Sequence, residues 1–309
     1  MARRCIYGLD INPLAVELSQ LALWIHTFVP GLPMSSLDHG LVLANSLTGI
    51  GTIDEAMDAL KADGLFEQII REPLTAARDL LIDYANASEA DKSEVAAGAE
   101  MLAKARDAAA PPAKAIFDVA VAKRLGVTID EAWDAEQFVA LAAMREVREA
   151  VDPLQPAHMP YLFPEVFLRE RPGFDVLVGE PALGGVARRG ASLVGGLRLP
   201  GLRSMQQSKR IVALRELRES RPDLESQYLA EIEQVNSLRR AIAAGGPFPG
   251  VGAAHLDLYQ MFGWRNWSLL REGGAALGSF CPAAHSQALR SRSGDDRFSR
   301  MALSLTCAS

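Results

Sequence analysis

Two carboxylates in this sequence stand where acids do chemistry. Asp10 ends the run Cys5-Ile-Tyr-Gly-Leu-Asp10 and is followed by Asn12-Pro13. At the end of the second strand of a doubly wound α/β sheet, an acid hydrogen-bonds the two ribose hydroxyls of a nucleotide cofactor. Asp10 has that position. A simpler role is an Asp in a helix-entry turn. Glu180 follows the apolar run Val176-Leu-Val178 and Gly179, and opens the stretch Glu180-Pro-Ala-Leu-Gly-Gly185. Ligands of open α/β sheets bind just past the carboxyl ends of strands, so Glu180 occupies a catalytic-loop position.

These residues need elements to hold them. Cys5 to Asp10 predicts a short strand. Asn12 is a favoured N-cap and Pro13 a favoured first helical residue, so a helix is expected through Leu14, Leu18, Leu21, Trp24, Ile25 and Phe28. Pro30-Gly31 and Pro33 mark its end. Phe174 to Val178 predicts a strand buried on both faces, broken by Gly179, Pro181, Gly184 and Gly185. Residues 52–150 show helical apolar spacing and predict four or five helices. Ser88 with Asp91 marks one helix start, Thr128-Ile-Asp-Glu131 is a capping box, and Pro111-Pro112 breaks the run. Trp133, Phe138 and Met144 are expected in the core. Residues 151–172 read as a connector with a short edge strand at Pro160–Val166, and His158 reads as a surface histidine. Residues 204–243 predict two helices separated at Pro222. Residues 257–271 predict an amphipathic helix closed by Gly273-Gly274, with Trp264 and Trp267 packing in the core. Ala275–Pro282 then reads as a poor strand, interrupted by Gly278 and Ser279.

Composition narrows the class. The chain of 309 residues is 49% hydrophobic, enough for a core, and no apolar run approaches the ~20 residues of a membrane span. The N-terminus lacks the apolar stretch and cleavage site of a signal peptide. Cys5, Cys281 and Cys307 have no metal-ligand spacing and read as reduced thiols, so a cytoplasmic protein is expected. The net charge of −6 is unevenly spread. Residues 51–150 hold 11 Lys/Arg against 20 Asp/Glu, whereas residues 187–240 hold 11 against 6. The second segment could face phosphates, or be a solvated helical surface.

Longer stretches carry a family resemblance. Tyr7-Gly-Leu-Asp-Ile-Asn-Pro-Leu-Ala-Val-Glu-Leu18, with Leu23-Trp24 and His26-Thr-Phe-Val-Pro-Gly31, resembles the second cofactor motif of adenine-N6 DNA methyltransferases. The group concerned is the type IIG-like restriction–modification and phage-defence methylases. Leu37-Asp-His39 and Asn45-Ser-Leu-Thr-Gly-Ile50 resemble their third motif, with Leu41–Ala44 as the strand before it. Gly173–Val186 resembles their catalytic loop, and Gly245–Gly252 with the following helix and double glycine extends the likeness. It spans most of residues 3–275.

The resemblance implies an α/β protein with a Rossmann-like class I methyltransferase sheet, incomplete because the first strand is missing, and a large helical insertion. Residues 1–50 would be a partial cofactor-binding half, 51–150 the insertion and 151–283 the catalytic half, while residues 284–309, Ser/Arg-rich and aperiodic, read as a disordered tail. The cofactor would be S-adenosylmethionine, contacted by Asp10, Ile11, Asn45 and Ser46, with Asn45 on the adenine. The catalytic residues would be Glu180, Pro181, Ala182 and Leu183, with no metal. The substrate would be double-stranded DNA, and a second polypeptide could supply the missing strand or target recognition.

This chain departs from the pattern in two places. The family's Asn-Pro-Pro-aromatic signature is Glu180-Pro181-Ala182-Leu183 here, which implies impaired catalysis. No Gly-rich loop precedes Asp10. Two other readings stay open: a non-catalytic relative binding DNA or a partner through residues 187–240 and the insertion, and a nucleotide-dependent oxidoreductase using Asp10.

Overall fold

A computed structural model describes residues 2–26, 39–62, 64–87, 92–106, 110–179, 206–223, 226, 229, 248 and 258–277. The protein is mixed α/β, mostly helical, with small sheets. It divides into two units. One comprises Met1–Leu177 with Ser268–Ala275, the other Val178–Trp267 with Ala276–Ser309.

In the first unit, a short helix α1 (Ala2–Cys5) precedes strand β1 (Gly8–Asp10). The strand is thus shorter than the sequence predicts, and Cys5 is helical. Asn12 accepts the Leu14 N–H at 3.0 Å through its side chain, and α2 (Pro13–His26) starts there as expected. Residues 27–38 lie outside the described residues. Strand β2 (Leu41–Leu43) pairs parallel with β1, Gly8 opposite Leu41 and Asp10 opposite Leu43.

Helices α3 (Ile53–Leu60), α4 (Gly64–Asn86), α5 (Lys92–Lys104), α6 (Ala110–Arg124), α7 (Ala135–Ala142) and α8 (Arg145–Val151) follow. Among the described residues they are six, one more than the four or five expected. Helix α6 is their centre and packs against α3, α4, α7 and α8. Its Ile116, Phe117 and Ala120 are fully buried. Pro111-Pro112 does not break a helix but lies in the first turn of α6, where missing N–H groups cost nothing. Gly126, at φ +82°, ends it: Gly126 N–H bonds to Lys123 C=O and Val127 N–H to Ala122 C=O, a Schellman closure.

The expected capping box at Thr128–Glu131 does not form, and residues 127–133 have no regular structure. Asp134 caps α7 instead, accepting the Gln137 N–H at 2.8 Å. Phe138 is core, as expected, but Trp133 is 71% and Met144 40% exposed. Trp133 sits in the irregular segment and Met144 at a helix boundary, so neither lies on an inward helical face. Pro160–Val166 is not an edge strand. It forms two single turns, α9 (Met159–Leu162) and α10 (Pro164–Phe167), each with proline at its start.

Strand β3 (Phe174–Val178) forms where predicted and pairs with β4 (Leu270–Leu277). It is not buried on both faces: Val178 is 78% and Val176 55% exposed. Gly173, at φ +107°, lies so close to Leu269 and Arg271 that a Cβ would meet backbone at 2.6 Å, and it permits β3 to start beside β4. Asp175 is held by Arg271 of β4 and by Arg169, and these hydrogen bonds keep its carboxyl below the usual range. Helix α12 (Leu258–Leu269) ends before Gly273, and β4 runs straight through Gly273-Gly274. The expected glycine stop is therefore a strand interior. Trp264 is half-buried and Trp267 exposed rather than core. In the second unit, α11 (Gln207–Ser220) forms as expected before Pro222, and Arg265 packs over the Phe248 ring at 5.6 Å.

Candidate functional site

The register of β1 and β2 brings two of the predicted residues to one end of the sheet. Asp10 is the last residue of β1, and Ala44 N–H donates to its C=O at 3.0 Å. Asn45 is the next residue along. The Asp10 carboxylate accepts the Asn12 N–H at 2.8 Å through Oδ1. Its other oxygen has no partner among the described residues, and the side chain is exposed. Ile11 beside it is 47% exposed. Asn45 accepts the Leu47 N–H at 3.1 Å through Oδ1, which leaves its amide NH₂ without a partner among the described residues. Ser46 is half-buried in the same turn.

A carboxylate oxygen and an amide donor pair, both without a partner among the described residues, and an exposed apolar side chain form a set of groups that fits a nucleoside. The carboxylate matches a ribose diol, the NH₂ matches an acceptor nitrogen of a purine, and Ile11 offers an apolar surface to the ring. This set fits the adenosyl part of S-adenosylmethionine. It equally fits other adenosine-containing cofactors.

Asn45 is held far more firmly than Asp10. Its N–H donates to Gln155 C=O at 2.8 Å and its C=O accepts from Ala157 N–H at 3.0 Å. The Thr48 hydroxyl reaches the carbonyls of Leu154 at 3.1 Å and Asn45 at 3.3 Å. Gly49 lies against Ala157 so closely that a Cβ would fall 2.0 Å from its carbonyl oxygen. Behind this turn stands His158, 1% exposed and not on the surface as expected. Its Nδ1 accepts the Ile50 N–H at 3.2 Å, so Nε2 carries the proton and donates to Asp118 of α6 at 2.9 Å. Lys114 bonds the second Asp118 oxygen at 2.6 Å. Burial pushes the His158 pKa down. Asp118 is also held low: burial alone would raise it, but the hydrogen bonds and charges of His158 and Lys114 outweigh that.

A second clamp follows. Glu55 of α3 accepts the Gly51 N–H at 2.8 Å and Arg124 Nη1 at 2.7 Å, and Arg124 Nη2 also reaches the Glu55 carbonyl at 3.0 Å. His158, Asp118, Glu55 and Arg124 thus position the Asn45 turn through the helical insertion. Sequence reasoning missed all four, since no local spacing joins them.

The opposite end of the strands carries an aromatic cluster. The Tyr7 ring lies 4.9 Å from Phe163 and 5.8 Å from Phe174. His39 bonds Glu165 at 2.7 Å. Burial, and then the nearby Glu165 carboxylate, push the Tyr7 hydroxyl well above its usual pKa. The cluster packs the strand starts, at the end away from Asp10 and Asn45.

The predicted catalytic residues Glu180, Pro181, Ala182 and Leu183 lie outside the described residues, as does most of the basic segment. Of that segment, Lys209, Arg215 and Arg218 are exposed on α11. No protein-family model, curated protein or solved structure matches the chain.

Proposed function

We propose that this chain is the S-adenosylmethionine-dependent part of a DNA adenine-N6 methyltransferase of the restriction–modification or phage-defence type, built on a Rossmann-like sheet. One observation carries the reading. The Asp10 carboxylate and the Asn45 amide stand at the carboxyl ends of two hydrogen-bonded parallel strands, with complementary hydrogen-bonding capacity unspent. The resemblance of residues 3–50 assigns those same two positions to the cofactor.

In this reading Asp10 holds the ribose diol, Asn45 donates to the adenine and Ile11 covers its ring. Bound there, the cofactor supplies an electrophilic methyl group. Glu180 and Pro181 would accept hydrogen bonds from the exocyclic amine of a flipped adenine, orienting its lone pair. Glu180 would take the proton that the amine loses. Leu183 lacks the π face of the family's aromatic residue. Base stacking on such a ring is worth ~1–3 kcal/mol, so target holding is weak and turnover slow. Exposed Lys209, Arg215 and Arg218 suit a DNA backbone, with double-stranded DNA as partner and a further polypeptide supplying target recognition.

The test is equilibrium binding of S-adenosylmethionine to the full chain, beside Asp10→Ala and Asn45→Ala. Saturable binding weakened more than tenfold in each variant supports the reading. A folded chain that ignores the cofactor sinks it. Binding of a nicotinamide dinucleotide in its place would favour the oxidoreductase reading. Transfer of labelled methyl to duplex DNA then measures the cost of the altered loop.

A further inference from the structure

The register of β1 and β2 also decides where the backbone of β2 points. Gly8 N–H bonds to Gly40 C=O and Ala44 N–H to Asp10 C=O, with Leu41 and Leu43 opposite Gly8 and Asp10. In a parallel ladder the groups of residues 40, 42 and 44 then face β1, and those of Leu41, Leu43 and Asn45 face the other edge. Asn45 uses its pair, bonding Gln155 and Ala157 in a parallel bridge centred on Pro156. Leu41 and Leu43 make no backbone hydrogen bond along that edge among the described residues. Leu41 is nonetheless only 8% exposed. An open strand edge with unpaired N–H and C=O groups is a template for another strand.

A cavity of about 390 Å³ runs along it. Its wall takes Leu41, Val42 and Leu43 in succession. Consecutive strand residues point to opposite faces, so a cavity touching all three touches the edge itself. Ala77 and Leu81 of α4 face them, and Arg106 also lines the cavity. Arg106 is exposed and pairs with no acid among the described residues.

We propose that the outer edge of β2 is a docking slot for a short extended segment of a partner protein. The segment adds as a parallel strand, in line with the bridge that Asn45 already makes to residues 155–157. Two N–H and C=O pairs, unmet among the described residues and two residues apart, match the repeat of another strand, as in β-strand addition. The slot takes the apolar side chains of that segment, and the unpaired Arg106 selects an acidic residue on it. The slot lies on the opposite edge of β2 from β1 and does not depend on the methyl-transfer reading.

The probe is a fluorescent, end-blocked pentapeptide, Glu-Val-Thr-Val-Glu, titrated against the full chain, with Lys-Val-Thr-Val-Lys as its charge-reversed partner. The acidic peptide is expected to bind saturably and at least tenfold tighter than the basic one. Leu43→Pro removes one outward N–H and leaves the groups that face β1, so it should weaken binding at least tenfold. Arg106→Glu is a surface change that leaves folding intact and should reverse the charge preference. Circular dichroism confirms that each variant is folded. Absence of binding at millimolar peptide overturns the proposal. So does binding that neither Leu43→Pro nor Arg106→Glu alters, which would place the peptide elsewhere.

Discussion

Residues 52–59 and 128–135 read Thr-Ile-Asp-Glu-Ala-Met-Asp-Ala and Thr-Ile-Asp-Glu-Ala-Trp-Asp-Ala, identical at all but one position. They adopt different structures. The first copy is a capped helix: the Thr52 hydroxyl accepts the Glu55 N–H at 3.2 Å and α3 runs on from Ile53. The second has no regular structure until Asp134, the counterpart of Asp58, caps α7. Capping chemistry is the same in both, so the surroundings decide. Glu55 is clamped by Arg124 and Gly51, Ile53 and Ala56 are buried, and the preceding Ile50 N–H is held by His158. In the second copy Thr128, Asp130, Glu131 and Trp133 are exposed, and the chain has just left the Schellman turn at Gly126. A capping box becomes a helix start only where the first turn has something to pack against.

The comparison can be broken from the clamped side. Arg124→Met would take the guanidinium partner away from the buried Glu55 carboxylate. Breaking a buried pair on one side costs about 3–5 kcal/mol, and urea unfolding should show a loss of that size. Glu131→Met, at the second copy's equivalent of Glu55, should leave the unfolding midpoint almost unchanged. Equal losses would mean that both copies are held alike.

His158→Leu comes next. It strands the Ile50 N–H and one oxygen of Asp118, whose other oxygen keeps Lys114, at roughly 2–4 kcal/mol for two unsatisfied groups. The same residue gives a pH signature. Its folded pKa lies below the unfolded value, so its contribution is full above about 6.5 and is lost as pH falls through the folded value. Protonation there takes away the acceptor that Ile50 uses. Asp118, also lowered, adds a further loss below about 4. Stability should therefore decline on acidification, beginning below pH 6.5. His158→Leu should flatten the upper part of that decline, and an unchanged profile would contradict the assignment.

Smaller effects sharpen the contrast. Thr52→Ala and Asp134→Ala each remove a working cap and should cost about 1 kcal/mol. Thr128→Ala removes a threonine that caps nothing and should stay within about 0.5 kcal/mol of the parent. Helicity by circular dichroism should fall in the first two and not in the third.

The two halves of the candidate site repeat the lesson. Asn45 is gripped by residues 154–158 and, through them, by the insertion. Asp10 sits on a strand followed by a helix with no buried residue, whose Leu14, Leu18, Leu21 and Ile25 form an exposed apolar stripe. Their spacing correctly predicts a helix from Pro13. It does not say which face is covered, because α2 carries apolar residues on both.

Read alone, the sequence determined features set within a few residues. The strand ending at Asp10, the Asn12-Pro13 helix start, the helical character of residues 52–150 and the strand at Phe174–Val178 follow from period and capping. The placing of Asp10 at a strand end follows too, whereas Asn45 after a strand at Leu41–Ala44 came from the resemblance. Only the tertiary structure decided which of two near-identical octapeptides becomes a helix, that His158 is buried and Trp133 is not, and that Gly273-Gly274 continues a strand. Each of those outcomes rests on partners distant in sequence: Ile50 and His158 are 108 residues apart, Arg124 and Glu55 69. A hydrogen bond or a buried face depends on where such partners arrive, which no local spacing records.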